Sequence, residues 1–91
     1  MIVPRLVVVS GAPASGKTTL AARLAGELGL LVLSKDAFKE TLFDTLGTGD
    51  LAWSRRLGAA SYELLYRTAA RLLAAGSGVV LEANFSRGAV R

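Results

Sequence analysis

VVVSGAPASGKTTLAARLA, residues 7–25, changes character twice within a short span. A β-branched run gives way to a loop of small residues, and the loop to an Ala/Leu/Arg pattern of helical period. At the junction, Gly11, Ala12, Pro13, Ala14, Ser15, Gly16, Lys17 and Thr18 fit the pattern G-x-x-x-x-G-K-[ST]. Glycines let the backbone curl so that successive N–H groups point at phosphate oxygens. A helix starting near Gly16 adds its unsatisfied N–H donors and positive dipole end. Lys17 supplies a full charge for the β- and γ-phosphates, and the Thr18 hydroxyl is a Mg²⁺ ligand. With Thr19 completing the run, residues 11–19 are the candidate nucleotide-binding segment, and Pro13 stiffens it. A nucleoside triphosphate is the expected ligand.

Outward from this loop, strands are predicted at about 5–10, 30–34 and 78–83, and helices at about 16–28, 37–46 and 51–75. The Leu6–Val9 run is β-branched and uninterrupted, as suits a parallel strand buried on both faces. Leu20, Ala21, Leu24, Ala25 and Leu28 fall at helical spacing before the stop at Gly29. Phe38, Leu42, Phe43 and Leu46 make a short amphipathic helix. Asp50 is placed to cap a long one whose stripe includes Leu57, Ala60, Leu64, Leu65, Leu72 and Leu73. The order of elements is that of a parallel α/β sheet: a three-layer P-loop type, incomplete at about three strands. The 91 residues are expected to be a single nucleotide-binding domain, the N-terminal portion of a larger one.

Composition removes whole classes of chemistry. There is no cysteine and no histidine, so disulfide frameworks, thiolate nucleophiles and zinc mechanisms are out of reach. Any general base is a carboxylate or a lysine. The net charge of +4 is spread along the chain without a basic block, which reads as solvated helix faces. The N-terminal apolar run is too short for a signal peptide and no window suits a membrane helix. A cytoplasmic protein without membrane contact is expected.

Three further positions bear on what happens to the phosphate. Asp36 follows the second strand at the carboxyl end of the sheet, where ligands gather. It reads equally as the group that takes or orients an attacking hydroxyl and as the cap of the helix starting at Ala37. Glu82, near the end of the third strand, can hold Mg²⁺ directly or through water, opposite Thr18; otherwise it is a solvent-facing strand end. Lys35 and Lys39 flank Asp36 as possible contacts for phosphate or an acidic substrate, with solvent the preferred place for Lys35. Trp53, Tyr62 and Tyr66 read as packing residues rather than a stacking platform for bases.

GAPASGKTT, LSKDAFKETLFDTLG and VVLEANFSRG together resemble the P-loop kinase-type ATPases of the zeta-toxin and polynucleotide-kinase-like group, often labelled AAA family ATPases. Ser34-Lys35-Asp36 with Lys39 matches that group's Ser/Asn-x-Asp and following basic residue. Val79 to Phe85 matches its third strand, with Glu82 in place of aspartate. The resemblance implies ATP as donor, Mg²⁺ as cofactor, Asp36 as base or hydroxyl-positioning group, and Lys39 as a substrate or phosphate contact. The longer Glu82 puts direct metal coordination in question. Such proteins are about twice this long, and their later part supplies a lid with arginines; Arg87 and Arg91 sit too early for that role.

A kinase acting on a small-molecule or nucleoside-type hydroxyl is therefore the leading expectation. An ATPase or switch without an acceptor, a nucleic-acid end kinase and an inactive fragment are the alternatives. The chain alone is expected to be feebly active and to self-associate through an exposed sheet edge.

Overall fold

The computed structural model describes residues 5–11 and 16–84. Its elements are β1 (Leu6–Ser10), α1 (Lys17–Leu28), β2 (Leu31–Ser34), α2 (Lys35–Leu46), α3 (Leu51–Ala74) and β3 (Val79–Ala83). The three strands form one parallel sheet in the order β1-β3-β2. The sequence-predicted bounds hold to within a residue or two. The largest difference is α2, which starts directly after β2. Ser34 caps it, its hydroxyl accepting from the Ala37 N–H at 3.4 Å. Asp36 is therefore not the cap, and stands instead in the first turn, where its charge suits the helix dipole.

β3 is buried along its whole length, because it has a strand on each side and helices on both faces. Alternate residues serve the two layers. Val79, Leu81 and Ala83 pack with Leu65 and Ala69 of α3, while Val80 packs with Val9 of β1 and with Ala21 and Ala25 of α1. The layers are thus α1, the sheet, and α2 with α3.

The expectation that β1 is buried on both faces is corrected. Val7 and Val9 point into the α1 layer, but Leu6 and Val8 on the other face are about half exposed, at 51% and 52%. α3 lies over β3 and stops short of β1, so the uninterrupted apolar run is covered on one side only. β2 is likewise an edge strand, with Leu31 exposed.

The helical stripes are narrower than the sequence pattern. Small side chains, Ala21 and Ala25, occupy the buried line of α1, while Leu20 and Leu28 are exposed. Along α3 the buried line is Leu57, Ser61, Leu65 and Ala69, at i, i+4 spacing. Leu64 falls outside it. Ser61 is a polar member that the pattern did not single out. Its hydroxyl donates to the Leu57 carbonyl at 2.7 Å, which satisfies it without a partner outside the helix. Asp50 caps α3 as expected, accepting from the Trp53 N–H at 2.9 Å.

Leu64 and Leu65 are neighbours in sequence with opposite surroundings, 39% and 0% exposed. Leu65→Ala is expected to cost about 2–5 kcal/mol in urea unfolding, and Leu64→Ala well under half of that. Equal costs would contradict this placement of α3 on the sheet.

Candidate functional site

In a parallel sheet all strands end on one side, and the segments that follow them share that side. Here Gly11 follows β1, Lys35 follows β2 and Asn84 follows β3. Gly16 opens α1 with φ of +84°, a conformation only glycine takes readily, as the second motif glycine requires. Ala12, Pro13, Ala14 and Ser15 lie outside the described residues, as do Phe85, Arg87 and Arg91. Thr19 is exposed on the first turn of α1.

Lys17 begins α1 and is buried against the sheet, with 8% exposure. It shares the line of Ala21 and Ala25, one turn apart each, so its stem continues the packed face of the helix. Thr18 donates its hydroxyl proton to Glu82 Oε1 at 2.9 Å across 64 positions of sequence. Glu82 is not the solvent-facing strand end that one reading allowed, since it is 3% exposed. The alternation of β3 explains this: Glu82 lies on the same face as Val80, toward α1. A hydroxyl that gives its proton to a carboxylate keeps its lone pairs for another partner.

Oxygen donors of this kind suit a hard cation such as Mg²⁺, which takes one or two protein oxygens and fills its shell with water and phosphate. Among the described residues no group of three or more acidic side chains gathers as a caged metal site.

The segment after β2 holds the second half of the site. Period-two alternation places Lys35 on the Leu33 side, toward α3, and its side chain is only 14% exposed. Its Nζ stands 5.1 Å over the Tyr62 ring and 3.8 Å from Asp36 Oδ1. The solvated reading of Lys35 is thereby corrected. Asp36 itself is 67% exposed. Lys39, one turn on, lies over the Phe43 ring at 5.5 Å.

Tyr62 is more than a packing residue. It stacks on Tyr66 with ring centres 6.2 Å apart and donates its hydroxyl proton to the Asn84 carbonyl at 2.6 Å. That bond fixes the end of β3 to the middle of α3. The sequence signal for Tyr62 was only its place beside the buried line of α3. Trp53 is held by the Gly47 carbonyl at 2.9 Å, with Arg56 over its ring, which closes the turn between α2 and α3. A shallow apolar groove of about 220 Å³ runs outside β2 and α2, lined by Val32, Leu33, Ser34, Ala37, Phe38 and Thr41.

Burial holds the Lys35 ammonium below its ordinary pKa of 10.5. The charge of Lys39 lowers it further, Asp36 offsets part of the effect, and Lys17 acts in the same direction as Lys39. Burial raises the Tyr62 phenol above its ordinary 10.0, and Tyr66 and Asp36 add to this. Tyr62 therefore keeps its proton for Asn84.

Residues 6–91 match the protein family described as an AAA domain. No curated protein matches the chain. Among solved structures, the chain is similar to a "putative kinase" from Chloroflexus aurantiacus J-10-fl, at 53% identity and a TM-score of 0.87. The match covers 93% of this chain and 47% of that one, so the chain spans about half the length of the related structure. No helix among the described residues is long and apolar enough to cross a membrane.

The lowered Lys35 pKa has a sign that unfolding can read. The native state binds fewer protons at this site than the unfolded chain, so its unfavourable contribution is complete at neutral pH and fades toward 10.5. Lys35→Met is expected to be more stable than the parent at neutral pH, with that advantage shrinking as pH approaches 10.5. An advantage independent of pH, or a loss at neutral pH, would contradict a covered ammonium.

Proposed function

The chain belongs to the AAA domain family, and on that premise we propose that it is the phosphate-binding part of a cytoplasmic ATP-dependent kinase. The acceptor in this reading is a hydroxyl of a small-molecule or nucleoside-type compound. The observation that carries it is the Thr18–Glu82 hydrogen bond, set beside the buried Lys17 at the carboxyl end of a parallel sheet. Likeness to a kinase structure at 53% identity supports the same reaction class. The related structure is about twice as long, so the complete reaction is proposed for a larger domain of which these residues form one half.

In this mechanism residues 11–19 hold the triphosphate through backbone N–H groups and Lys17. Thr18 Oγ1, whose proton is held by Glu82, would be the protein oxygen that holds Mg²⁺, and Glu82 would act through Thr18 or a water rather than as a direct ligand. Mg²⁺, when bound, neutralises charge on the β- and γ-phosphate oxygens. The acceptor oxygen bonds to the γ-phosphorus as the bond from that phosphorus to the β,γ-bridging oxygen breaks, and ADP leaves with the electron pair. The acceptor's proton passes to the Asp36 carboxylate and on to water. Lys39, one turn further along α2, holds its ammonium 5.5 Å from the centre of the Phe43 ring.

A carboxylate orienting water would be the mark of an acceptor-free ATPase. Glu82, the residue that keeps that reading open, gives one carboxylate oxygen to the Thr18 hydroxyl. A nucleic-acid end kinase is the less favoured reading: Trp53 and Tyr62 spend their polar atoms on the Gly47 and Asn84 carbonyls, and of the three aromatics Tyr66 alone is exposed, at 41%.

Two variants separate binding from transfer. Lys17→Met is expected to weaken ATP binding by about tenfold or more. Asp36→Asn should leave ATP affinity unchanged and lower phosphoryl transfer to a hydroxyl acceptor by about 10²–10⁴-fold. Transfer at the parent rate in Asp36→Asn would reduce Asp36 to a helix-dipole charge.

A further inference from the structure

We propose that Tyr62 is a positioning residue for the nucleotide site: its hydroxyl braces the end of β3 through the Asn84 carbonyl and thereby holds the Glu82 carboxylate at Thr18. Its ring face meanwhile seats the first residue after β2. One side chain from α3 thus sets where two strand ends stand. What Glu82 does for Mg²⁺ rests on the kinase reading above; the contacts of Tyr62 do not.

The first observation is where the pairing of β3 stops. Toward β2 the last register pair is Ser34 with Glu82, and toward β1 it is Ser10 with Ala83. Asn84 lies one residue beyond both. Backbone past the last ladder partner is the part of a strand that opens first. Here the Asn84 carbonyl accepts from the Tyr62 hydroxyl at 2.6 Å, across 22 positions of sequence. Glu82 is therefore held by the sheet before it and by the phenol after it.

The second observation is the base from which the phenol reaches. Leu65 and Ala69 of the same helix are buried with Val79, Leu81 and Ala83, and Tyr62 packs against that cluster. The core that buries β3 thus also fixes the helix that carries the brace. Packing alone would be served as well by phenylalanine, and the hydroxyl is the part that reaches the strand end. Burial raises the phenol above its ordinary pKa, so it remains a donor at neutral pH.

The third observation is that ring and hydroxyl serve different strand ends. Lys35 Nζ lies 5.1 Å from the ring centre and 3.8 Å from Asp36 Oδ1, beyond the end of β2. In-line transfer needs the donor and acceptor sides of a site held in register, and Tyr62 touches both.

Two variants separate the contacts: Tyr62→Phe removes the hydroxyl and keeps the ring, while Tyr62→Leu removes both. Their amide and methyl signals are first compared in nucleotide-free protein. Tyr62→Phe is expected to shift the Thr18 signals and leave those of Lys35 and Asp36 in place; Tyr62→Leu should shift both sets. Affinity for a non-hydrolysable ATP analogue is then measured with Mg²⁺ and with Mg²⁺ chelated. Tyr62→Phe should lower the gain from Mg²⁺ by about threefold and leave the Mg²⁺-free affinity unchanged. In a Glu82→Gln background the same substitution should change that gain by less than about 1.5-fold, because the charge it positions is gone. Leu64→Ala, on the exposed side of α3, controls for lost stability and should leave the gain unchanged. Unmoved Thr18 signals in Tyr62→Phe, an undiminished gain, an equal fall in both backgrounds, or the same fall in Leu64→Ala each overturns the brace. A parent that does not bind the analogue would instead overturn the kinase reading, and the nucleotide-free Thr18 signals then decide the brace by themselves.

Discussion

Everything at the functional end of this molecule depends on β3 being buried on both faces. A strand in the middle of a parallel sheet must satisfy two layers at once, and its side chains alternate between them. Val79, Leu81 and Ala83 serve α3, and Val80 serves α1. Glu82 follows Val80 by two positions and inherits the α1 face, which brings its carboxylate to Thr18. Within a strand otherwise apolar, the carboxylate is tolerated because it has a hydrogen-bond donor.

The same alternation governs the other half of the site. Leu33 on β2 faces α3, Ser34 faces α1 and caps α2, and Lys35 returns to the α3 side over Tyr62. The two charged groups flanking Ser34 in the register, Glu82 beside it and Lys35 after it, thus go to opposite faces of the sheet. One face completes a hydroxyl–carboxylate pair suited to a hard cation. The other seats the Lys35 ammonium over the Tyr62 ring beside Asp36.

Most of the fold was legible in the sequence because its signals are local. The β-branched runs, the glycine stops and the Asp50 cap each mark an element without reference to the rest. Burial was less legible. Leu6 and Val8 look identical to Val79 and Val80 in composition, but which strand lies at the centre depends on pairing that no local pattern encodes. The phosphate loop was readable because the chemistry of phosphate fixes both residue types and spacing. The placements of Lys35 and Tyr62 were not, since each depends on α3 folding back over the end of β2. Strand alternation continued one residue past Ser34 would have turned Lys35 inward, and that is the signal that went unused.

The central claim is that Thr18 and Glu82 act together as the cation end of the nucleotide site. It is tested most directly by measuring ATP affinity with Mg²⁺ and with Mg²⁺ chelated, for the parent and for Glu82→Gln. Affinity in the parent is expected to fall by about tenfold or more when Mg²⁺ is removed. In Glu82→Gln, with the fold intact by its amide spectrum, that dependence should weaken, because the carboxylate charge behind Thr18 is gone while the amide oxygen still accepts the Thr18 proton. A Glu82→Gln protein that keeps the parent's full Mg²⁺ dependence would contradict the account.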